Sequence, residues 1–259
     1  MQAPAGPLIV TEQLCKNRRD REGHEAIILR GIDLALPRSL MTVIIGPSGG
    51  GKSTLVRLLN RLDEPTSGRI LLEGRDIAGI DPLLLRRRVA LVQQKPFLFP
   101  GTVLENLRRP FQFQGTAPVA EDDAGFRQLL EDTQVPQLWL QREARSLSQG
   151  QQQRVCLARS LATGPEALLL DEPTSSLDRP TADRLAETLR HICHSRGLAM
   201  LMATHDLRLA ERSADYLAFL ENGRIVEQGE PQPMLNRPGS KALQSFLQQP
   251  PRVGSIHDR

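Results

Sequence analysis

A glycine-rich segment between an apolar run and an amphipathic stretch constrains the fold of this chain more than any other feature. Residues 46–54 have the sequence GPSGGGKST, which fits the pattern G-x-x-x-x-G-K-[ST]. The apolar residues 41–45 predict a buried strand, and leucines three and four positions apart after Lys52 predict a helix with one apolar face. Glycines let backbone N–H groups surround phosphate oxygens, and a helix N-terminus adds partial positive charge. This strand–loop–helix unit predicts an α/β fold with a nucleoside triphosphate site.

Within this loop, two side chains have separate expected roles. Lys52 is expected to contact the outer phosphates, and the Ser53 hydroxyl is expected to ligate Mg²⁺. The expected nucleotide-binding residues of the loop are Gly46, Pro47, Ser48, Gly49, Gly50, Gly51, Lys52, Ser53 and Thr54.

A second apolar run, residues 167–170, ends in two acidic residues, Asp171 and Glu172. A run without polar alternation favours a parallel strand that is covered on both faces. Asp171 is expected to hold Mg²⁺, directly or through water. Glu172 is expected to orient and deprotonate a water molecule beside the γ-phosphate. Strands often end in acidic residues, so this pattern alone is a weak signal. Downstream of a phosphate-binding loop it becomes a strong one.

Residues 147–151 have the sequence LSQGQ, which separates this chain from kinases and GTPases. Here the sequence resembles the ATP-binding cassette (ABC) ATPases, whose signature is usually LSGGQ; Gln149 replaces the first glycine. Gln94 falls at the family's Q-loop glutamine, residues 176–178 (Ser-Leu-Asp) fall at the D-loop, and His205 falls at the switch histidine. The resemblance covers nearly the whole chain, from about residue 8 to about residue 235, with the motifs in the family's order.

The resemblance implies an ATP site shared between two copies of the chain. Ser148 and Gln151 also form the pattern S-x-x-Q, a capping box that predicts a helix to about Ala162. The implied catalytic residues are Glu172, His205, Gln94 and Lys52. The implied Mg²⁺ ligands are Ser53, Gln94 and Asp171. The implied residues that cover ATP bound to the opposite subunit are Ser148, Gly150, Gln151 and Asp178.

The implied fold class is α/β: a P-loop NTPase core of mainly parallel sheet with helices, an antiparallel β edge and a helical subdomain. Residues 1–94 and 163–249 are expected to form the nucleotide-binding core, residues 95–162 the helical subdomain, and residues 250–259 a flexible tail. Strands are expected between Leu8 and Leu36, interrupted by a polar loop from Lys16 to Glu25.

Composition restricts the location and the partners. The chain has 259 residues, of which 39% are hydrophobic and 24% charged, as expected of a soluble globular protein. No apolar run approaches the length of a membrane span, and no secretory signal is expected. Three cysteines without metal-site spacing are expected to be reduced thiols. The net charge is +3, and the run Arg86–Arg88 is interpreted as a solvated face rather than a nucleic-acid site.

The segment Pro96–Pro100 places three large apolar residues in a loop bounded by prolines. Such residues are costly to expose unless a partner covers them. In the family, this region receives a short helix of a membrane subunit. We therefore expect a separate polytopic membrane subunit that contacts residues 95–140, a homodimer of cassettes, no nucleic acid, and a peripheral position on the cytoplasmic face of the inner membrane.

Residues 96–107 resemble stand-alone bacterial cassettes related to iron export and metal tolerance, and the phosphate-importer cassettes come second. Two other function classes remain open. A soluble ABC ATPase that acts on DNA or ribosomes is disfavoured because the chain has neither a long coiled-coil insertion nor a second cassette. A phosphotransferase is disfavoured because the acidic pair and His205 suit water rather than an acceptor hydroxyl.

One departure from the family concerns the adenine ring, which is usually stacked on an aromatic residue before the phosphate-binding loop. This chain has no Phe, Trp or Tyr before Phe97. The base is expected to be held loosely, by Arg18, Arg19, His24 or aliphatic contacts, and the alternative is that Tyr216 folds over it.

Overall fold

The computed structural model describes residues 6–19, 23–118, 120–175 and 177–248, in which ten strands form two sheets. The strands are β1 (Ile9–Arg19), β2 (Glu25–Leu36), β3 (Met41–Ile45), β4 (Ser67–Leu72), β5 (Arg75–Asp76), β6 (Val89–Val92), β7 (Ala167–Asp171), β8 (Ala199–Thr204), β9 (Tyr216–Glu221) and β10 (Arg224–Gly229). The helices are α1 (Lys52–Leu59), α2 (Pro82–Arg88), α3 (Val103–Gln114), α4 (Ala124–Asp132), α5 (Gln149–Leu161), α6 (Arg179–Arg196), α7 (Leu207–Ser213), α8 (Pro231–Asn236) and α9 (Lys241–Gln248). The tail expected at residues 250–259 lies outside this description.

The larger sheet has the strand order β10-β9-β3-β8-β7-β6. Strands β9, β3, β8, β7 and β6 run parallel to one another, and only β10 is antiparallel to its neighbour. Strands β3 and β8 are buried at every residue, which explains their continuous apolar sequences. The expected fold class is confirmed, and the carboxyl ends of five neighbouring strands meet at one edge of the sheet.

The smaller sheet is antiparallel, with the order β2-β1-β4-β5. The expected polar loop from Lys16 to Glu25 was wrong in its extent, because β1 continues to Arg19 and pairs with β2 up to Glu25. The polar residues of this stretch remain in the strand because the pairing satisfies their backbone groups. The ammonium of Lys16 also binds Asp63 Oδ1 at 2.6 Å. In residues 16–19, the polar sequence therefore marks a solvated strand face.

Between residues 95 and 162, the described residues form helices α3 to α5 and short turns. Phe126 of α4 and Val155 of α5 belong to the same apolar cluster as Val43 and Met202 of the larger sheet. Helix α5 therefore packs against the sheet, and its N-terminal end is fixed relative to the strand ends. Among the described helices, none is both long enough and apolar enough to cross a bilayer.

Four charged side chains connect the smaller sheet to the larger one. Arg38 and Arg88 both bind Glu166, which precedes β7, and both bind Glu73 in the turn between β4 and β5. Hydrogen bonding to Arg88 lowers the pKa of Glu166, and Arg38 contributes in the same direction. This network joins the two sheets on the side opposite to the carboxyl edge.

Candidate active site

The separate sequence motifs lie together at the carboxyl edge of the larger sheet. Gly46 follows β3, Gln94 follows β6, Asp171 ends β7, Glu172 comes next, and His205 follows β8. Because β3, β8, β7 and β6 are neighbours and parallel, residues more than 150 positions apart in sequence share one edge. In open α/β sheets, ligands bind in the crevice at this edge.

The phosphate-binding loop depends on glycine at two positions. A Cβ atom on Gly46 would lie 2.0 Å from the carbonyl oxygen of Leu220, so the loop begins in close contact with β9. Gly51 precedes α1 in the left-handed region, with φ of 105°, and a Cβ atom there would lie 2.7 Å from a methyl group of Leu29. No larger residue fits either position without movement of the backbone.

Lys52 lies inside the loop and is almost fully buried. Its ammonium donates hydrogen bonds to the carbonyl oxygens of Gly46, at 2.8 Å, and Pro47, at 3.0 Å. Burial lowers the pKa of Lys52, and the nearby carboxylates of Glu172 and Asp171 oppose that change. The loop thus encloses a cation that a triphosphate would neutralise.

Ser53 and Asp171, both expected to be Mg²⁺ ligands, are in direct contact. The Ser53 hydroxyl donates to Asp171 Oδ1 at 2.8 Å. Burial raises the pKa of Asp171, since desolvation disfavours its charged form. No cluster of three or more His, Cys, Asp or Glu side chains suited to a metal occurs among the described residues. One hydroxyl and one carboxylate still fit Mg²⁺, which commonly takes few protein ligands and completes its shell with phosphates and water.

Glu172 and His205, which the sequence analysis assigned separate catalytic roles, are in direct contact. His205 Nδ1 lies 3.1 Å from Glu172 Oε2. Hydrogen bonding between them lowers the pKa of Glu172 and raises the pKa of His205. Glu172 has a φ of 46°, and its N–H donates to the carbonyl of Ala203 at 2.8 Å. A left-handed backbone at a glutamate is strained, and such residues concentrate at functional sites.

Gln94 is exposed at the end of β6 and does not contact Ser53 or Asp171 through any described hydrogen bond. Its side-chain amide donates to the Ser175 hydroxyl at 3.2 Å. Ser175 belongs to no motif that the sequence analysis used, and a serine in this loop gives no sequence signal for such a contact. This bond connects the loop after β6 to the loop after β7.

The start of α5 has the predicted capping box. The Gln151 N–H donates to Ser148 Oγ at 3.4 Å, and the Ser148 N–H donates to Gln151 Oε1 at 3.0 Å. A Cβ atom on Gly150 would contact Leu177 and Thr181 at 3.4 Å, so the beginnings of α5 and α6 are adjacent. The described hydrogen bonds of Ser148 remain within its own helix end.

Asp178 precedes α6 and is exposed, and its side chain makes no capping hydrogen bond to the helix. Its neighbour Ser176 lies outside the described residues. Leu177, which is described, packs beside Gly150 as noted above. The Asp178 side chain is therefore accessible from solvent.

Two of the residues considered for the adenine ring, Arg18 and Tyr216, lie in strands. Arg18 lies in β1, where its guanidinium is 3.4 Å from Asp63. Tyr216 pairs with Thr42, three residues before the carboxyl end of β3, which places it about 10 Å from the phosphate-binding edge. The alternative in which Tyr216 folds over the base is therefore disfavoured by its position in β9.

Comparison with protein families identifies the class. Residues 29–175 match the model of the ABC transporter family. Protein STAR1 of Oryza sativa subsp. japonica is 45% identical over 225 residues, which cover 87% of this chain and 63% of the rice protein. The glutamine transport ATP-binding protein GlnQ of Escherichia coli is 39% identical, over 85% of this chain and 92% of GlnQ. Phosphate import ATP-binding protein PstB 2 of Lactobacillus acidophilus is 37% identical, over 85% and 90% of the respective chains.

Solved structures give the same result. CbiO1 from Clostridium perfringens, described as part of the ABC transporter complex CbiONQ, has a TM-score of 0.78 and 28% identity, over 90% of this chain and 92% of CbiO1. The dimeric cassette MJ0796 has a TM-score of 0.77 and 26% identity, over 86% of this chain and 99% of MJ0796. The chain belongs to the ABC transporter family and is an ATP-binding subunit with ABC-type ATPase activity.

Proposed function

We propose that this chain is the motor subunit of an ABC membrane transporter. In this proposal, ATP binding, dimer closure and hydrolysis move a solute through a separate polytopic membrane subunit. The observation that supports it best is the Glu172–His205 pair, whose nearest atoms are 3.1 Å apart at the same strand edge as Lys52.

The pair suits hydrolysis by water. With its pKa lowered, Glu172 is ionised at neutral pH and can accept a proton from a water that attacks the γ-phosphorus. His205 uses Nδ1 towards Glu172, so its Nε2 is left to donate to a γ-phosphate oxygen. Lys52, inside the loop, binds the outer phosphates. Ser53 and Asp171, with Gln94 as a third expected ligand, would hold Mg²⁺, which supplies charge neutralisation of the phosphates when bound.

The N-terminal starts of α5 and α6 support the proposal of an ATP-dependent, head-to-tail homodimer. Ser148, Gly150 and Gln151 lie at the start of α5, and helix N-termini favour anions. On dimer closure, the Ser148 hydroxyl would exchange its capping bond with the Gln151 N–H for a bond to phosphate. In the proposed dimer these residues cover the γ-phosphate of ATP bound to Lys52 of the second copy, beside Asp178. Two-fold symmetry then gives two equivalent sites.

The membrane subunit is proposed to contact residues 95–140. Phe97 is 57% exposed, although Leu98 beside it is buried in the helical segment. Half of this apolar loop is thus covered by its own chain and half is available to a partner. The names of GlnQ and PstB 2 refer to transport and import. A peripheral position on the cytoplasmic face of the inner membrane is part of the same proposal.

For the solute, we propose a metal ion that is exported, on the resemblance of residues 96–107 to iron-export and metal-tolerance cassettes. Phosphate import is the second candidate, supported by the 37% identity to PstB 2. Transport activity in membrane vesicles, measured with iron and with phosphate, distinguishes the two. If neither iron nor phosphate is moved against a gradient, both solute proposals are rejected.

The test of the main proposal pairs the chain with a polytopic membrane protein, beginning with any that is encoded beside its gene. The two proteins are co-expressed, purified through a tag on the membrane protein, and assayed for ATP hydrolysis. We expect co-purification and hydrolysis faster than that of the isolated chain. A cassette that never co-purifies and is never stimulated, but that binds ribosomes or DNA, would contradict the transporter assignment.

A further inference from the structure

The turn that carries His205 leads directly into α7, where Arg208 and Arg212 lie four positions apart. Both side chains contact the same carboxylate, that of Asp183 in α6. The guanidinium of Arg208 donates to Asp183 Oδ1 at 2.8 Å, and that of Arg212 lies 2.8 Å from Asp183 Oδ2. Each oxygen of the carboxylate therefore holds one arginine, and Asp183 joins α6 to α7 at two points.

The two arginines are unfavourable for α7 when that helix is considered alone. Like charges four positions apart on a helix repel each other. Arg208 also lies in the first turn of α7, where a positive charge opposes the helix dipole. Asp183 offsets both effects because its negative charge is in contact with both guanidinium groups. The sequence of α7 is therefore matched to a carboxylate from another helix.

Asp183 is the least exposed member of this group. Its side chain is 22% exposed, against 44% for Arg208 and 46% for Arg212. Arg212 also lies near Glu187 of α6, but the distance is 3.8 Å and the Glu187 side chain is 67% exposed. Contacts between highly exposed charges contribute little because water and salt screen them. Asp183 is thus the carboxylate that fixes the arginines of α7, and Glu187 is a weaker neighbour.

Hydrogen bonds connect Arg208 to the turn of His205. Thr204 Oγ1 accepts from the N–H of Asp206 at 3.0 Å, and Asp206 Oδ1 accepts from the N–H of Arg208 at 3.0 Å. These bonds join the end of β8, the turn and the start of α7 into one unit. The imidazole carried by this unit lies 3.1 Å from Glu172 Oε2. A displacement of Arg208 would therefore move His205 relative to Glu172.

Apolar packing alone does not define the position of α7 on α6. Leu185 and Leu189 of α6 are buried in the same apolar cluster as Leu209 and Ala210 of α7. Burial of apolar surface is non-directional. Charge-assisted hydrogen bonds have defined lengths and directions, so the two bonds to Asp183 select one rotation and one height of α7 against α6.

We propose that Asp183 is a positioning residue for His205. Through Arg208, it sets where the start of α7 lies and hence where the imidazole lies beside Glu172. This inference rests on the proposed role of His205 in hydrolysis. It adds a residue that belongs to none of the sequence motifs and does not contact the nucleotide, but on which turnover depends. ATP binding by the loop that holds Lys52 is independent of it.

Phosphate release by the full chain, measured over a range of ATP concentrations, tests the inference. Asp183→Asn keeps the size of the side chain and removes its charge. We expect kcat to fall about three- to tenfold with KM for ATP unchanged, because a small displacement of a catalytic group slows the reaction and leaves binding intact. Asp183→Glu, which restores the carboxylate, should recover most of the lost turnover.

Variants of the arginines give a second line of evidence. Arg208→Gln should lower kcat as much as Asp183→Asn does, and the double variant should be no slower than either single variant. Arg212→Gln should have a smaller effect, since Arg212 lies one turn farther from His205 along α7.

Glu187→Gln is the matched control. It removes the same charge from the same helix and also faces Arg212, but it does not contact Arg208. Turnover of this variant should equal that of wild type. A second comparison uses His205→Ala, in which Asp183→Asn should lower the residual rate, measured with radiolabelled ATP, no further. A merely structural role of Asp183 would lower kcat by the same factor with and without His205.

The inference is overturned if Asp183→Asn has the turnover of Glu187→Gln, or if it lowers kcat equally in the presence and absence of His205. If Asp183→Asn does not fold, as judged by thermal unfolding, the same two comparisons are made with Arg208→Gln. If His205→Ala is impaired while Asp183→Asn and Arg208→Gln are not, the inference alone fails. If His205→Ala hydrolyses ATP at the wild-type rate, the proposed role of His205 fails and the inference fails with it.

Discussion

Replacing Glu172 with glutamine should separate ATP binding from ATP hydrolysis. The side chain keeps its shape but can no longer accept the proton of the attacking water. General-base catalysis is worth about 10²–10⁴-fold, which corresponds to roughly 2.7–5.4 kcal/mol on the barrier. Among the described residues at this edge, Asp171 already accepts the Ser53 hydroxyl and is expected to serve the metal, so it is not a substitute base.

Binding of ATP should be kept or improved in Glu172→Gln. The contacts of Lys52 within the loop are with the carbonyls of Gly46 and Pro47, and they do not involve Glu172. Removing a carboxylate near Lys52 also removes a negative charge that would repel the triphosphate. Lys52→Ala should have the opposite effect, with weak binding as the first defect.

Turnover is measured as phosphate release at saturating ATP with the membrane subunit present. ATP affinity is measured separately, as equilibrium binding of a fluorescent ATP analogue. Glu187→Gln is the control, because Glu187 is an acidic residue of α6 whose side chain is 67% exposed. Turnover of Glu172→Gln within a factor of a few of wild type would refute the assignment of the general base. Loss of ATP binding in that variant would refute the separation of the two steps.

Two further predictions concern stability and nucleotide choice. Glu166→Gln should cost roughly 0.5–1 kcal/mol of unfolding free energy at pH 7. Arg88 lowers the pKa of Glu166 in the folded state. The stability difference between wild type and Glu166→Gln should therefore be complete above the ordinary glutamate pKa of about 4.3, and it should vanish as the pH falls through the lowered pKa. Urea unfolding at pH 7 and pH 3 measures this stability difference, and an undiminished difference at pH 3 would contradict the ion-pair explanation. GTP should compete with ATP more effectively than in cassettes with an aromatic residue at the base, and Tyr216→Ala should not alter the ratio in competition binding. Strong adenine selectivity that is lost in Tyr216→Ala would show that the loose-base interpretation is wrong.

Three of the sequence motifs, at Gly46, Asp171 and His205, lie at the ends of buried strands or directly after them. Apolar runs before Gly46, Asp171 and His205 identify parallel strands, and parallel neighbours bring their ends together. The pattern S-x-x-Q at Ser148 and Gln151 likewise predicted a hydrogen-bonded helix start that the structure confirms. Such local patterns can be recognised in the sequence because the functional residues lie within a few positions of the strand or helix that positions them.

Contacts between distant loops were not predictable in the same way. The Gln94–Ser175 bond and the position of Arg109 beside Phe99 depend on packing between elements far apart in sequence. The extension of β1 to Arg19 was missed because its polar residues resemble a loop until the partner strands are known. The left-handed backbone at Glu172, whose N–H bonds to Ala203 in the neighbouring strand, also has no sequence signature.

The most direct test of the central claim is the mass of Glu172→Gln in solution with and without Mg²⁺ and ATP. The account predicts one species of 28.8 kDa without nucleotide and one of about twice that mass with ATP. Adding Ser148→Arg should return the mass to that of the single chain, because the arginine blocks the helix start that covers the second ATP. Light scattering after gel filtration gives the mass, and bound ATP is quantified in each peak. A Glu172→Gln chain that is saturated with ATP, yet remains single both alone and in complex with the membrane subunit, would contradict the account.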